Sequence, residues 1–144
     1  MKAKDLFSNH EQEKIVKAIE AAELNTSGEI RVHIENACSD KVLDRAAYVF
    51  KYLEMHKTAL RNGVLFYLSI KDGKFAVIGD AGINAKVTPD FWNSVADIVI
   101  KNFKEEKFTE GLSDGIKLTG LKLKDHFPYE FNDNNELKNE ISFG

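Results

Sequence analysis

One cysteine, two prolines and one tryptophan are all that occur in 144 residues, and no stretch of about eighteen consecutive apolar residues appears. Each scarcity excludes something. A lone cysteine, Cys38, cannot close an internal disulfide, so nothing marks the chain as a small bridge-stapled scaffold. Without a long apolar run there is no segment that would span a bilayer as a helix. Histidines at 10, 33, 56 and 126 are scattered without the spacing of zinc ligands. Lys and Arg are not in excess either: 20 stand against 23 Asp and Glu, for a net charge of −3 and a pI near 5.8. A surface built to neutralise phosphates needs clustered cations, so nucleic acid is excluded as a partner class. Lys2, Lys4 and Asp5 interrupt the start where a signal peptide would be apolar, and the chain as read is expected to be cytoplasmic.

What is present is the composition of an ordinary globular domain, 43% hydrophobic and 30% charged. Residues 1–128 carry periodic apolar patterns and read as one domain. Residues 129–144, with Asn132, Asp133, Asn134 and Asn135 in a row, read as an acidic, Asn-rich tail, extended or loosely attached.

The richest stretch is Arg61 to Gly82. Val64 to Ile70 holds six hydrophobes in seven residues, the pattern of a strand buried on both faces. Asp72-Gly73 predicts a type I′ turn, and Phe75 to Ile78 a second strand folding back antiparallel. Gly79-Asp80-Ala81-Gly82 reads as a tight turn, not a dinucleotide-binding loop, because the strand before it is antiparallel.

Upstream, Ser8 and Glu11 have the spacing of a capping box, in which hydroxyl and carboxylate each accept a backbone N–H. A helix should follow, burying Ile15, Ile19 and Ala22 and turning Glu13, Lys17, Glu20 and Glu23 to water. From Glu29 to Glu35 the period is two, with Ile30, Val32 and Ile34 on one face and Glu29, Arg31, His33 and Glu35 on the other. Leu43, Ala46, Ala47, Phe50 and Leu53 predict a helix from about Asp40 to His56, with Ser39 or Asp40 as its N-cap. A strand, helix, strand unit of this length makes its two strands parallel. Thr88 and Pro89 open a third helix containing Trp92, Val95 and Val99, and Thr109 a fourth containing Leu112, Ile116 and Leu123. The fold class is α/β: a three-layer α/β/α sandwich, Rossmann-like, on a small mixed sheet.

Strand direction then predicts where chemistry gathers. Glu29 and Arg31, Arg61 and Asn62, and Asp80 should meet at one end of the sheet. Glu29 and Asp80 offer hard oxygens to Ca²⁺ or Mg²⁺ with Asn62 completing the shell, while Arg31 and Arg61 offer bidentate hydrogen bonds to phosphate or carboxylate. The competing reading of the same residues is an ion pair from Arg61 to Asp80 or Glu29. At the opposite end, where ligands of open α/β sheets usually sit, lie Glu35, Asn36, Ser39, Asp40 and Asp72, an alternative site. Cys38 has no nucleophile signature around it, and Trp92 has the spacing of a core residue.

These residues also carry a resemblance. Ser27-Gly28-Glu29-Ile30-Arg31-Val32, the helix with Ala46 and Phe50, Asn62-Gly63-Val64-Leu65, the turn Gly79 to Gly82, and Trp92 together resemble the TPM domain family over roughly residues 8–127. The resemblance implies a Rossmann-like α/β/α sandwich, divalent metal binding as in some members, and an acid phosphatase activity as attributed to a plant member. Asp80 departs from the glycine-rich, aromatic turn common in the family, and no phosphatase signature is visible. Two functions follow as expectations: a divalent-metal-binding domain with weak phosphomonoesterase activity, or a non-catalytic assembly module for a protein partner, its metal structural and its tail the docking element.

Overall fold

In the computed structural model, residues 3–130 and 135–144 are described. Asn132, Asp133 and Asn134 of the expected tail lie outside them. A four-stranded sheet has the order β3-β2-β1-β4, with β1 at Glu29–Glu35, β2 at Gly63–Ser69, β3 at Lys74–Gly79 and β4 at Ser142–Phe143. β1 and β2 are parallel, with Glu29 opposite Gly63 and Glu35 opposite Ser69, and β3 returns antiparallel to β2. The predicted mixed sheet is therefore present.

Six helices flank it: α1 (Ala3–Leu6), α2 (Asn9–Glu23), α3 (Val42–Tyr52), α4 (Ala81–Asn84), α5 (Asn93–Lys104) and α6 (Phe108–Leu123). Ser8 and Glu11 form the capping box at α2, at 3.0 and 3.1 Å. One core lies between the sheet and α2, α5 and α6, where Ile30, Val32, Ile34, Val64, Phe66 and Leu68 meet Ile15, Ile19, Val95, Val99, Leu112 and Ile116. A smaller core on the other face joins Leu65, Tyr67 and Ala76 to Ala46, Val49 and Phe50 of α3. β2 is buried on both faces because both layers meet on it, as its continuous apolar run requires.

Five local expectations are corrected. Only Gly73 of the hairpin has a left-handed φ, +60°, so the turn is not type I′. It is a four-residue loop, closed by Gly73 N–H donating to the Ile70 carbonyl at 3.3 Å. α3 is capped at Lys41 without a side-chain bond, so neither Ser39 nor Asp40 serves as its N-cap. The helix also stops at Tyr52; Glu54 takes a left-handed φ of 58° and Met55–Lys57 form a separate 3-10 turn. Thr88 and Pro89 likewise open a 3-10 turn, Pro89–Trp92, before α5 begins. Finally, Gly79 to Gly82 is more than a tight turn, since Asp80 is the N-cap of α4.

The C-terminal stretch is held more closely than its composition suggests. Leu137 packs against the smaller core, Ile141 and Phe143 against the larger one, and Ser142–Phe143 pair parallel with His33–Ile34. The segment thus crosses the β1 edge and joins both layers.

Candidate functional site

At the predicted end of the sheet the polar residues are neighbours, but they are engaged separately. Arg61 donates to Asp80 in a bidentate pair, Nε to Oδ2 and Nη2 to Oδ1, both at 2.8 Å. Asp80 Oδ1 also accepts the Ala81 N–H at 2.7 Å as the α4 cap. Arg61 sits at a left-handed φ of 50°. The loop presses so close to Gly82 that a Cβ there would lie 2.2 Å from the Leu60 carbonyl oxygen. Of the two readings of Arg61, the ion pair to Asp80 is the one present. Asn62 is buried, and its Nδ2 donates to the Ser27 carbonyl at 3.2 Å.

Glu29 turns away from Asp80 toward the C-terminal segment. Its Oε1 accepts the Leu137 N–H at 2.7 Å and the Glu136 N–H. Burial nevertheless pushes its carboxyl up to about 7, against these two bonds that lower it. Glu23, which helical periodicity assigns to water, is half-buried instead: its Oε2 accepts the Ile30 N–H at 3.0 Å. Burial raises Glu23 to about 7 as well, with the Glu29 charge adding to the rise. The two carboxylates line one pocket of about 100 Å³ with Thr26, Ser27, Gly28, Tyr129 and Asn135. Arg31, two residues along the same face of β1, has a buried Nε without a hydrogen-bond partner, and burial lowers its pKa.

The alternative end is occupied by structural bonds. Glu35 Oε1 accepts Arg45 Nη2 at 2.6 Å, Tyr67 Oη donates to Oε2 at 2.5 Å, and His33 Nε2 lies 3.1 Å from Oε1. Burial alone would raise Glu35, but the hydrogen bonds from Arg45, Tyr67 and His33 outweigh it and hold the carboxyl at about 2. His33 Nδ1 meets Ser142 Oγ at 2.9 Å, and burial lowers its pKa. Asn36 Oδ1 accepts the Ala3 N–H. Asp72 Oδ2 accepts the Cys38 N–H and, at 3.0 Å, the Ser69 hydroxyl. Asp40 contributes its carbonyl, 3.2 Å from Lys74 Nζ.

With the sheet order and these polar clusters in place, the family comparison is decisive: the model of the TPM domain matches residues 1–120. The chain belongs to the TPM domain family. Among solved structures, this TPM domain is similar to the BA42 protein of the psychrophilic bacterium Bizionia argentinensis, at 45% identity and a TM-score of 0.91, over 96% of this chain and 95% of that one. The N-terminal domain of a P. gingivalis protein shares the fold at 19% identity and a TM-score of 0.69, over 88% and 83% of the two chains. A Corynebacterium glutamicum N-terminal domain does so at 10% identity and 0.63, over 92% and 80%. No curated protein matches.

Among the described residues of this TPM domain, no three His, Cys, Asp or Glu side chains gather in a metal-binding group, and no helix is long and apolar enough to cross a membrane. As a metal set, Glu29 with Asp80 does not fit, because Asp80 is committed to Arg61 and Ala81. Glu29 instead shares a pocket lining with Glu23, Thr26, Ser27 and Asn135. Glu23 was missed because it ends a helix whose exposed stripe it shares. The one sequence signal is its place six residues before Glu29, across the turn from α2 into β1.

Proposed function

We propose that this TPM domain is a divalent-cation-binding module, with the ion held at the start of β1 and serving to fasten the C-terminal segment. The observation that carries the reading is the pair of carboxyls, half-buried Glu23 and buried Glu29, both raised to about 7 and lining a single pocket. A carboxylate pair desolvated without an arginine or lysine partner is relieved by a proton at low pH and by a cation above it. Ser27, Thr26 and Asn135 add neutral oxygens, a mixed and irregular set that suits the flexible coordination of Ca²⁺ better than the strict octahedron of Mg²⁺. Asn135 and the Glu136 and Leu137 amides belong to the C-terminal segment, so ion and segment share Glu29. Metal binding here supports an assembly role in which the ion is structural.

The test is a titration of the ¹⁵N-labelled protein with CaCl₂ and with MgCl₂ at about pH 8. Amide shifts should change at Glu23, Thr26 to Glu29 and Asn135 to Asn139, and vanish in Glu23→Gln/Glu29→Gln. Shifts that leave those residues untouched would end the assignment.

A second reading, phosphomonoester hydrolysis, draws on Arg31. Its unpartnered Nε lies on the same strand face as Glu29, where a guanidinium can hold a phosphate oxygen beside a bound cation. Cation-dependent turnover of a generic phosphate ester, lost in Arg31→Met while Ca²⁺ binding persists, is what this reading requires. No turnover leaves the domain non-catalytic.

A further inference from the structure

We propose that the groove between α2 and α6 docks a short acidic segment of a partner protein. The two helices run side by side in the same direction: Thr109 Oγ1 donates to Glu11 Oε2 at 3.0 Å near their starts, and a Cβ on Gly120 would lie 2.9 Å from Ala22 near their ends. On their outer side is a groove of about 340 Å³. Ala18 and Ala21 are part of its lining, small side chains that take up little of the space. Lys14, Lys17 and Lys117 converge on it with His10, against the single lining carboxylate of Glu13.

None of these three lysines is tied into an ion pair among the described residues. Glu20 and Asp114 flank the groove one turn away and lie outside its lining. The result is a local cationic strip on a chain whose net charge is −3.

Its shape selects the ligand. His10 to Ala21 runs about 16 Å along α2 at roughly 1.5 Å per residue, the length of about five residues of extended chain. Lys14 and Lys17 stand one turn apart on α2 with Lys117 on the neighbouring α6, and lysine is a mobile point charge without the planar fork that fixes a phosphate. Spaced carboxylates on a peptide match such an array, whereas a single phosphate would use one end of it. A nucleic acid would meet the net negative charge of the rest of the surface. One turn beyond Ala21 and Lys117 stand Leu24 and Leu121, 68% and 58% exposed, which places an apolar contact at the end of the cationic line. The partner segment is therefore acidic with an adjoining hydrophobic residue.

Titrating the ¹⁵N-labelled full chain with a synthetic hexapeptide of Asp and Glu ending in Leu tests this. Amide shifts should map to Lys14, Lys17, Ala18, Ala21 and Lys117 and weaken as salt is raised past roughly 0.1 M, where the screening length is about 10 Å. In Lys14→Ser/Lys17→Ser/Lys117→Ser, three exposed substitutions with unchanged circular dichroism, affinity should fall at least about tenfold. No shift at the groove up to millimolar peptide, or equal shifts in the triple variant, overturns the proposal. Lysine-dependent binding to phosphatidylserine vesicles, or shifts with inorganic phosphate alone, in place of peptide binding also overturns it. Calcium plays no part in this experiment, so its outcome is separate from that of the cation site.

Discussion

Glu29 and Glu35 stand on the same face of one seven-residue strand, and their surroundings are opposite. Glu35 is met by a guanidinium, a phenol and an imidazole, and stays ionised far below neutrality. Glu29 is met by two backbone amides and a second carboxylate, and burial leaves it half-protonated near pH 7. Both ends are polar and both are buried, so polarity alone does not distinguish a working site from a strut. The difference is whether the charge is already answered. An answered carboxylate holds the fold together, and an unanswered one is where a cation has something to gain.

The largest expected effect that could break this comparison is at Glu35. Glu35→Ala leaves Arg45, Tyr67 and His33 without their shared acceptor beside a core, and should cost about 3–5 kcal/mol in urea unfolding. A loss under about 1 kcal/mol would mean that the network is not a strut.

Next comes the pH dependence at the other end. Glu23 and Glu29 have folded pKa values near 7, above the ordinary carboxylate value, so the folded state binds more protons than the unfolded one between those limits. Stability is therefore present at low pH and lost as pH rises through about 7. Glu23→Gln should remove part of this loss and raise stability at about pH 8 by roughly 2 kcal/mol, with little change near pH 5, in paired thermal melts. An unchanged pH profile would place Glu23 in water after all.

The smallest effect sharpens the contrast by touching neither carboxylate. Ser8→Ala opens the capping box of α2 and should cost about 1 kcal/mol by urea denaturation, with the wild-type pH profile kept.

Much of the fold was legible because it rests on short-range periodicity. Alternation in Glu29–Glu35, the continuous run of Val64–Leu68 and the Ser8–Glu11 spacing each report a local geometry that tertiary packing leaves in place. The Arg61–Asp80 pairing was also legible, because strand direction alone brings those residues together. What stayed hidden depends on distant partners. Glu29 finds its acceptor role 107 and 108 residues away, in a segment whose sequence has no helical or strand period. Glu23 likewise lines a pocket with Asn135 of that segment and accepts the Ile30 N–H across the turn into β1. Asp40 and Ser39 have good capping chemistry, yet the chain enters α3 one residue later, at Lys41, because Cys38 and Asp40 are tied by their backbone to Asp72 and Lys74.

β4 pairs with β1 over only two residues, His33 and Ile34. Strand edges with free amides and carbonyls recruit other chains. A two-residue partner, with Glu23 occupying the Ile30 amide further along, blunts that edge without offering a new one of any length. Releasing the segment would bare that stretch of the β1 edge, so solutions in which it is released should lose protein to precipitation before they lose helix signal.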